Sequence, residues 1–277
     1  MTTFRRTTRA CLSLFRIRFA ENLQYRLSGL SSVAIGAFWA IIETLVLTVF
    51  YTHAEFAQAS INGLTLPMAV SYLWMSQAIR ALIGMGIDGE INQQIERGDV
   101  GIELCRPLDL YAHWYAKVAA GRLGGMWLRG PLTVLVGFLM PTALRMSGPA
   151  SLEGLLLFLL SLLSAFLLST AYTLLITAVR LRITWGMGPI HILLLVPQVL
   201  SGAFLPLQLW PDALQKVLLL QPFAGYADIP LRLYVGSMAP ADGLPLIALQ
   251  LAWTAAFIVG GRLLMRHQLK SLIIQGG

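Results

Sequence analysis

The stretch INQQIERGDVGIELCRPLD, residues 91–109, carries Glu96, Arg97, Asp99, Glu103, Arg106 and Asp109 in a chain of 277 residues that is only 12% charged. Side chains of these types serve catalysis or set the orientation of a docked partner. Catalysis needs a convergent set of groups near one interface, and the sequence offers none. HExxH, which would hold zinc, and GxSxG, the nucleophile elbow, are both missing. GMGID at 84–88 misses the GxGD spacing of intramembrane aspartyl proteases by one residue, with no second membrane-embedded Asp. His53, His113, His191 and His267 are scattered along the chain, so no metal cluster is expected. GRLGG at 121–125 suits close helix packing and lacks the context of a dinucleotide fingerprint. No Walker A sequence is present, so ATP phosphates are not cradled by this chain.

One further charge stands alone. Glu43 sits mid-run in WAIIETLVL. An acid in an apolar span is costly and usually faces a partner or a pathway, or is neutral. Arg80 and Arg129 fall inside or near other apolar runs. They either snorkel to the inner interface or contact a substrate.

The elements that must position these residues are helices in a membrane. The chain is 57% hydrophobic with a mean hydropathy of +0.71, against about 45–50% apolar in soluble domains. Its net charge of +7 and pI of about 9.8 do not indicate nucleic acid, because the basic residues flank apolar runs. About 20 apolar residues cross a bilayer. Six segments qualify: 29–51, 66–87, 123–144, 154–179, 186–207 and 243–265. With both termini inside, 17 of the 20 Lys and Arg lie on the inner side, and only Arg145, Lys216 and Arg232 lie outside. Positive charge collects in the cytoplasm, which sets that orientation.

Residues 1–27 are too charged to span. Leu12, Phe15, Phe19 and Leu23 recur at helical spacing, with Arg16 close to the stripe. The expectation is an amphipathic helix on the inner membrane surface, with a disordered basic tail as the alternative. Arg16 and Arg18 also break any signal-peptide core. Cys11 and Cys105 both fall on the cytoplasmic side, so no disulfide is expected.

That orientation puts residues 88–117 in the cytoplasm. Ile87, Ile91 and Ile95 share one helical face. Asp88 and Glu90 suit a first turn, Arg97 and Gly98 suit an end, and Asp109 suits the cap of the next helix, which carries His113, Trp114 and Lys117. Arg106-Pro107 stiffens the turn between. The expected unit is helix, stiff turn, helix. Its isoleucines dock onto a partner or pack on their own bundle, and periodicity does not separate the two.

Residues 208–242 fall outside but are half apolar. Short helices dipping into the outer leaflet are expected, with turns at Pro211, Pro222 and Pro230. Pro189 and Pro197 interrupt the fifth span. His191, between them, is expected to be a buried neutral histidine.

IERGDVGIELCRPLDLYAHW resembles the cytoplasmic loop of type-2 ABC transporter permeases, the exporter class. LSGAFLPLQLWPDALQKVLLLQP, 200–222, is similar to that family's Ser-Gly…Pro…Pro…Pro signature, here Ser201, Gly202, Pro206, Pro211 and Pro222. SLIIQGG at the C-terminus resembles the branch that works beside a second, related permease. The resemblance covers essentially the whole chain. It implies an all-α membrane domain over 1–277, with an interfacial helix, six spans, a coupling helix between spans two and three, and re-entrant helices before span six. It implies that Ile91, Ile95, Glu96, Arg97, Gly98 and Asp99, with Arg106 and Pro107 beyond, dock on a cytoplasmic ATPase. Ser201, Gly202, Phe204, Pro206, Pro211, Pro222, Phe223 and Tyr226 would line or close the exit path, or simply pack.

The implied partners are two copies of an ABC ATPase, a second permease (related or identical) and membrane lipid, with no nucleic acid. ATP and Mg would sit in the ATPase, with no cofactor or catalysis here. The implied location is the bacterial cytoplasmic membrane. An apolar pathway points to a lipidic, amphipathic or hydrophobic cargo. A self-sufficient secondary transporter or channel is the alternative. It predicts inverted repeats and paired intramembrane charges, and no clear repeat joins residues 1–140 to 141–277.

Overall fold

Apolar runs with no water to satisfy their backbone must close their own hydrogen bonds, and they do so as helices. The computed structural model describes residues 13, 16–17, 20, 26–53, 62–84, 86–105, 109–183 and 186–270. Three helices among them are long and apolar enough to cross a membrane, over Gly29–Thr52, Leu152–Arg180 and Pro240–Lys270. They belong to α1 (Arg26–His53), α6 (Leu152–Arg180) and α10 (Pro240–Lys270). Ser151 starts α6 by accepting a hydrogen bond from Gly154 N at 3.0 Å.

The other three expected spans take different forms. The second is α2 (Leu66–Ile79), only 14 residues, or about 21 Å of helix. Every residue from Ala69 to Ile79 is buried, so α2 runs through the protein rather than along its rim. The third is the 30-residue α5 (Leu110–Leu139), which begins well before the expected 123 and carries Lys117, Arg122 and Arg129 within one continuous helix. The fifth is α7 (Gly188–Leu200), 13 residues ending at Ser201 because Gly202 turns to φ 76°.

Between α2 and α5 lie α3 (Gly89–Arg97) and α4 (Val100–Leu104). Between α7 and α10 lie α8 (Asp212–Leu220), α9 (Asp228–Val235) and two 3-10 turns, Leu207–Leu209 and Pro222–Gly225. α6 and α10 share the most extensive packing, and α1, α2 and α5 pack on one another. Two apolar clusters result. One gathers α2, α6 and the segment after α7 around Trp74, Tyr226 and Leu231. The smaller one joins α3, α4 and the start of α5 to the ends of α6 and α10 through Ile91, Trp114, Leu174 and Met265.

Ser13, Arg16, Ile17 and Ala20 are helical and exposed. Leu12, Phe15, Phe19, Leu23, Cys11, the Arg106-Pro107 turn and the C-terminal SLIIQGG lie outside the described residues. Cys105 is a free, exposed thiol.

Candidate functional site

The charged stretch folds as its local chemistry dictates. Asp88 caps α3, its Oδ1 accepting from Glu90 N and Ile91 N at 3.1 Å each. Gly98 ends it in the left-handed region at φ 76°, and Asp99 N reaches back to Gln94 O at 2.9 Å. Asp109 Oδ1 then accepts from Ala112 N at 2.8 Å to start α5.

Two ion pairs and a Glu–His contact hold this elbow on the bundle. Glu90 meets the buried Lys117 of α5 at 2.6 Å. Glu103 meets His113 Nε2 at 3.3 Å. Glu96 meets Arg180 at the end of α6 at 3.5 Å. Arg180 also donates to the Ile183 carbonyl. Beside the elbow, burial pushes the Tyr111 phenol up, while the Arg262 guanidinium pulls the other way. The Tyr111 ring offers Arg262 an aromatic face at 5.3 Å.

The facing of the isoleucines corrects one expectation. Ile91 is fully buried within the protein's own cluster and Ile95 packs against it, so Ile91 offers no area for docking. The outward face instead shows Glu96, Arg97, Ile102 at 64% exposure and Leu104 at 42%. Ile102 and Leu104 escaped the sequence reading because the isoleucine period stops at the Gly98 cap.

Arg122 anchors the approach to the elbow. Its Nη2 donates to Gly84 O and Thr173 Oγ1, each at 2.6 Å, and its Nη1 to Ser169 Oγ at 2.7 Å and Thr170 Oγ1 at 3.2 Å. A buried cation is tolerated here because α6 presents a ladder of hydroxyls. The Ser and Thr at 169, 170 and 173 are a readable signal for such a partner.

On the other side of the structure, the Ser201-Gly202 signature is locked rather than loose. Tyr72 Oη lies 2.8 Å from Gly202 O and 3.1 Å from Asp228 Oδ1. Asp228 Oδ1 also accepts from Leu207 N at 3.0 Å, and Asp228 N donates to Ser201 O at 3.0 Å. Ser76 Oγ donates to Ala203 O at 2.7 Å. Ser201 and Asp228 are both fully buried. Pro206 is buried, Pro211 exposed, and Pro222 opens a 3-10 turn. Phe223 and Tyr226 are buried and pack edge-on at 5.6 Å, with Tyr172 5.0 Å from Phe223. Of the aromatic residues proposed for an exit path, Phe204 alone is well exposed, at 46%.

Glu43 is not isolated. Both its oxygens face Gln77 Nε2, at 3.1 and 3.3 Å. One turn on, the Arg80 guanidinium carbon lies 4.7 Å over the Phe204 ring. No metal-holding group of His, Cys, Asp and Glu occurs among the described residues.

A family model described as ABC-2 family transporter protein matches residues 37–276. Comparison with curated proteins and with solved structures gives no match.

Proposed function

The chain belongs to the ABC-2 family of transporter proteins, and from that membership we propose that it is the permease subunit of an ATP-driven exporter, coupled to a separate ATPase through residues 88–109. The observation that carries the coupling role is the elbow itself. The capped α3 is held to α5 and α6 by ion pairs and turns Arg97 outward, and α4 beside it turns Ile102 and Leu104 outward. An apolar centre with a charged rim is what a specific interface needs.

In this reading α2, α5 and α7 complete a six-span layout with α1, α6 and α10, and both termini face the cytoplasm of a bacterial cell. Two ATPase copies bind below and hold ATP and Mg. The exposed apolar faces of α1 (Phe38, Trp39, Val46) and α7 (Ile192, Val199) meet lipid or a second permease, related or identical. Residues 201–226 form the outer gate.

The test is co-purification with the neighbouring gene products in nanodiscs, tagging only this chain. An ATPase is expected to co-elute. Arg97→Glu and Ile102→Asp are expected to release it, while Ile91→Val, which changes an inward face, leaves it bound. A folded chain that elutes alone returns the reading to a self-sufficient transporter.

A further inference from the structure

Three charges from three helices converge near one level of the bundle. Glu43 lies ten residues before the end of α1, Arg129 ten before the end of α5, and Arg80 fourteen beyond the start of α2. In the six-span reading those positions lie about 15, 15 and 21 Å along their helices from the ends that reading places outside, within a hydrocarbon core about 30 Å thick. Gln77, one turn before Arg80, bonds Glu43 of α1, and α5 packs against the same end of α2: a Cβ on Gly130, beside Arg129, would lie 3.6 Å from Ala78 O.

The set is unbalanced. One carboxylate stands against two guanidinium groups in this region, and both its oxygens are engaged by the Gln77 amide. No ion pair within 4.0 Å joins Glu43 to either arginine among the described residues. Arg80 Nε and Nη2 and Arg129 Nε are buried with no hydrogen-bond acceptor among those residues. Buried donors are rarely left so, and each demands an explanation. Arg122, on the same helix as Arg129, finds four acceptors for its Nη1 and Nη2, so this fold can provide for a guanidinium where it needs one. Phe204 closes one side, half exposed, with its face under Arg80.

We propose that Arg80 and Arg129, flanked by Phe204, bind the anionic headgroup of an amphiphile, with its apolar body lying along the exposed side of Phe204. Phosphate, sulfate or carboxylate supplies the acceptors that the free guanidinium donors lack, in a setting where charge-assisted hydrogen bonds are strong. A cationic cargo meets surplus positive charge and a carboxylate already occupied. The inference rests on the transport reading and names the class of molecule that this permease would accept.

The test uses the full chain in a neutral maltoside detergent and follows thermal unfolding with added dodecyl phosphate or dodecyltrimethylammonium. Dodecyl phosphate is expected to raise Tm and the cationic analogue to leave it unchanged. Arg80→Gln and Arg129→Gln are each expected to weaken the dodecyl phosphate effect by at least about tenfold in concentration. Arg145→Gln, on an exposed outer residue, keeps it, and Glu43→Gln strengthens it by removing the competing charge. Parallel titrations with inorganic phosphate and with phosphatidylglycerol assign the source as a free anion, a bilayer lipid or a single-chain cargo. If Arg80→Gln does not fold, Arg129→Gln and Glu43→Gln decide. Equal response to both detergents, or a phosphate response that survives loss of either arginine, overturns the proposal. ATPase co-elution is scored separately, so the site can fail while the permease reading stands.

Discussion

The Tyr72 hydroxyl donates to the carbonyl of Gly202 at 2.8 Å, across 130 residues of sequence. It holds a left-handed turn against the centre of α2. Tyr72→Phe removes that donor and strands a buried carbonyl, at a cost of about 1–3 kcal/mol. Gly202→Ala is expected to cost more. Its Cβ would sit 2.8 Å from Tyr72 Oη and 2.9 Å from Asp228 Cβ, on a backbone that L side chains rarely adopt. The double variant recovers little, because Asp228 and the strained φ remain. Thermal unfolding in detergent ranks all three.

Arg122→Lys keeps the charge and loses the fork. One ammonium does not span Gly84, Ser169, Thr170 and Thr173 together. The expected loss is about 2–3 kcal/mol. Amide exchange measured by mass spectrometry is expected to quicken over residues 86–97, with the middle of α10 unchanged.

The ends of α3 are open to a similar trial. Asp88→Ala removes a cap that satisfies two backbone donors, costing about 1 kcal/mol. Gly98→Ala forces a side chain to φ 76° and costs about 1 kcal/mol or slightly more. Limited proteolysis is expected to cut within 89–105 sooner in both variants, and additively in the pair only if the two ends fray independently.

These caps were legible in the sequence because their chemistry is local. Gly98 and Asp109 act on residues within a few positions of themselves, and so does Asp88, which the sequence placed in the first turn and which sits one position earlier, as the cap. Facing was not legible. The same isoleucine stripe serves a docking surface or a core, and it is Trp114 and Met265, far along the chain, that turn Ile91 inward. The short spans also escaped. Apolar composition continues past Ile79 and Leu200, but a turn at Arg80 and the φ of Gly202 end the helices there. The Ser-Gly-Pro signature marked the right segment, whereas Asp228 and Tyr72, which hold it, carry no spacing signal because they meet across 156 residues.

Gln250 offers a trial of the outer segment from the α10 side. Its Nε2 donates to Gly225 O at 2.7 Å, and its Oε1 lies 3.1 Å from Ser161 Oγ. Gln250→Leu leaves that buried carbonyl without its donor and is expected to lower stability by about 1–3 kcal/mol. Gly225→Ala probes the same contact from the other side, since its Cβ would lie 2.8 Å from Gln250 Cγ. Unfolding midpoints in detergent are expected to fall for each variant, with less than additive loss in the pair.

The burial of α2 on every side has a consequence for how the protein is made. Tyr72 and Ser76 find their acceptors only in residues 202, 203 and 228. At ribosomal speeds of about 5–20 residues per second, those partners emerge roughly six to thirty seconds after α2 itself. Through that interval the insertion machinery must shelter a half-length helix that has polar groups and no finished neighbours. Truncations ending before Asp228 therefore present the cell's membrane quality control with a recognisable orphan, whereas the full chain hides it.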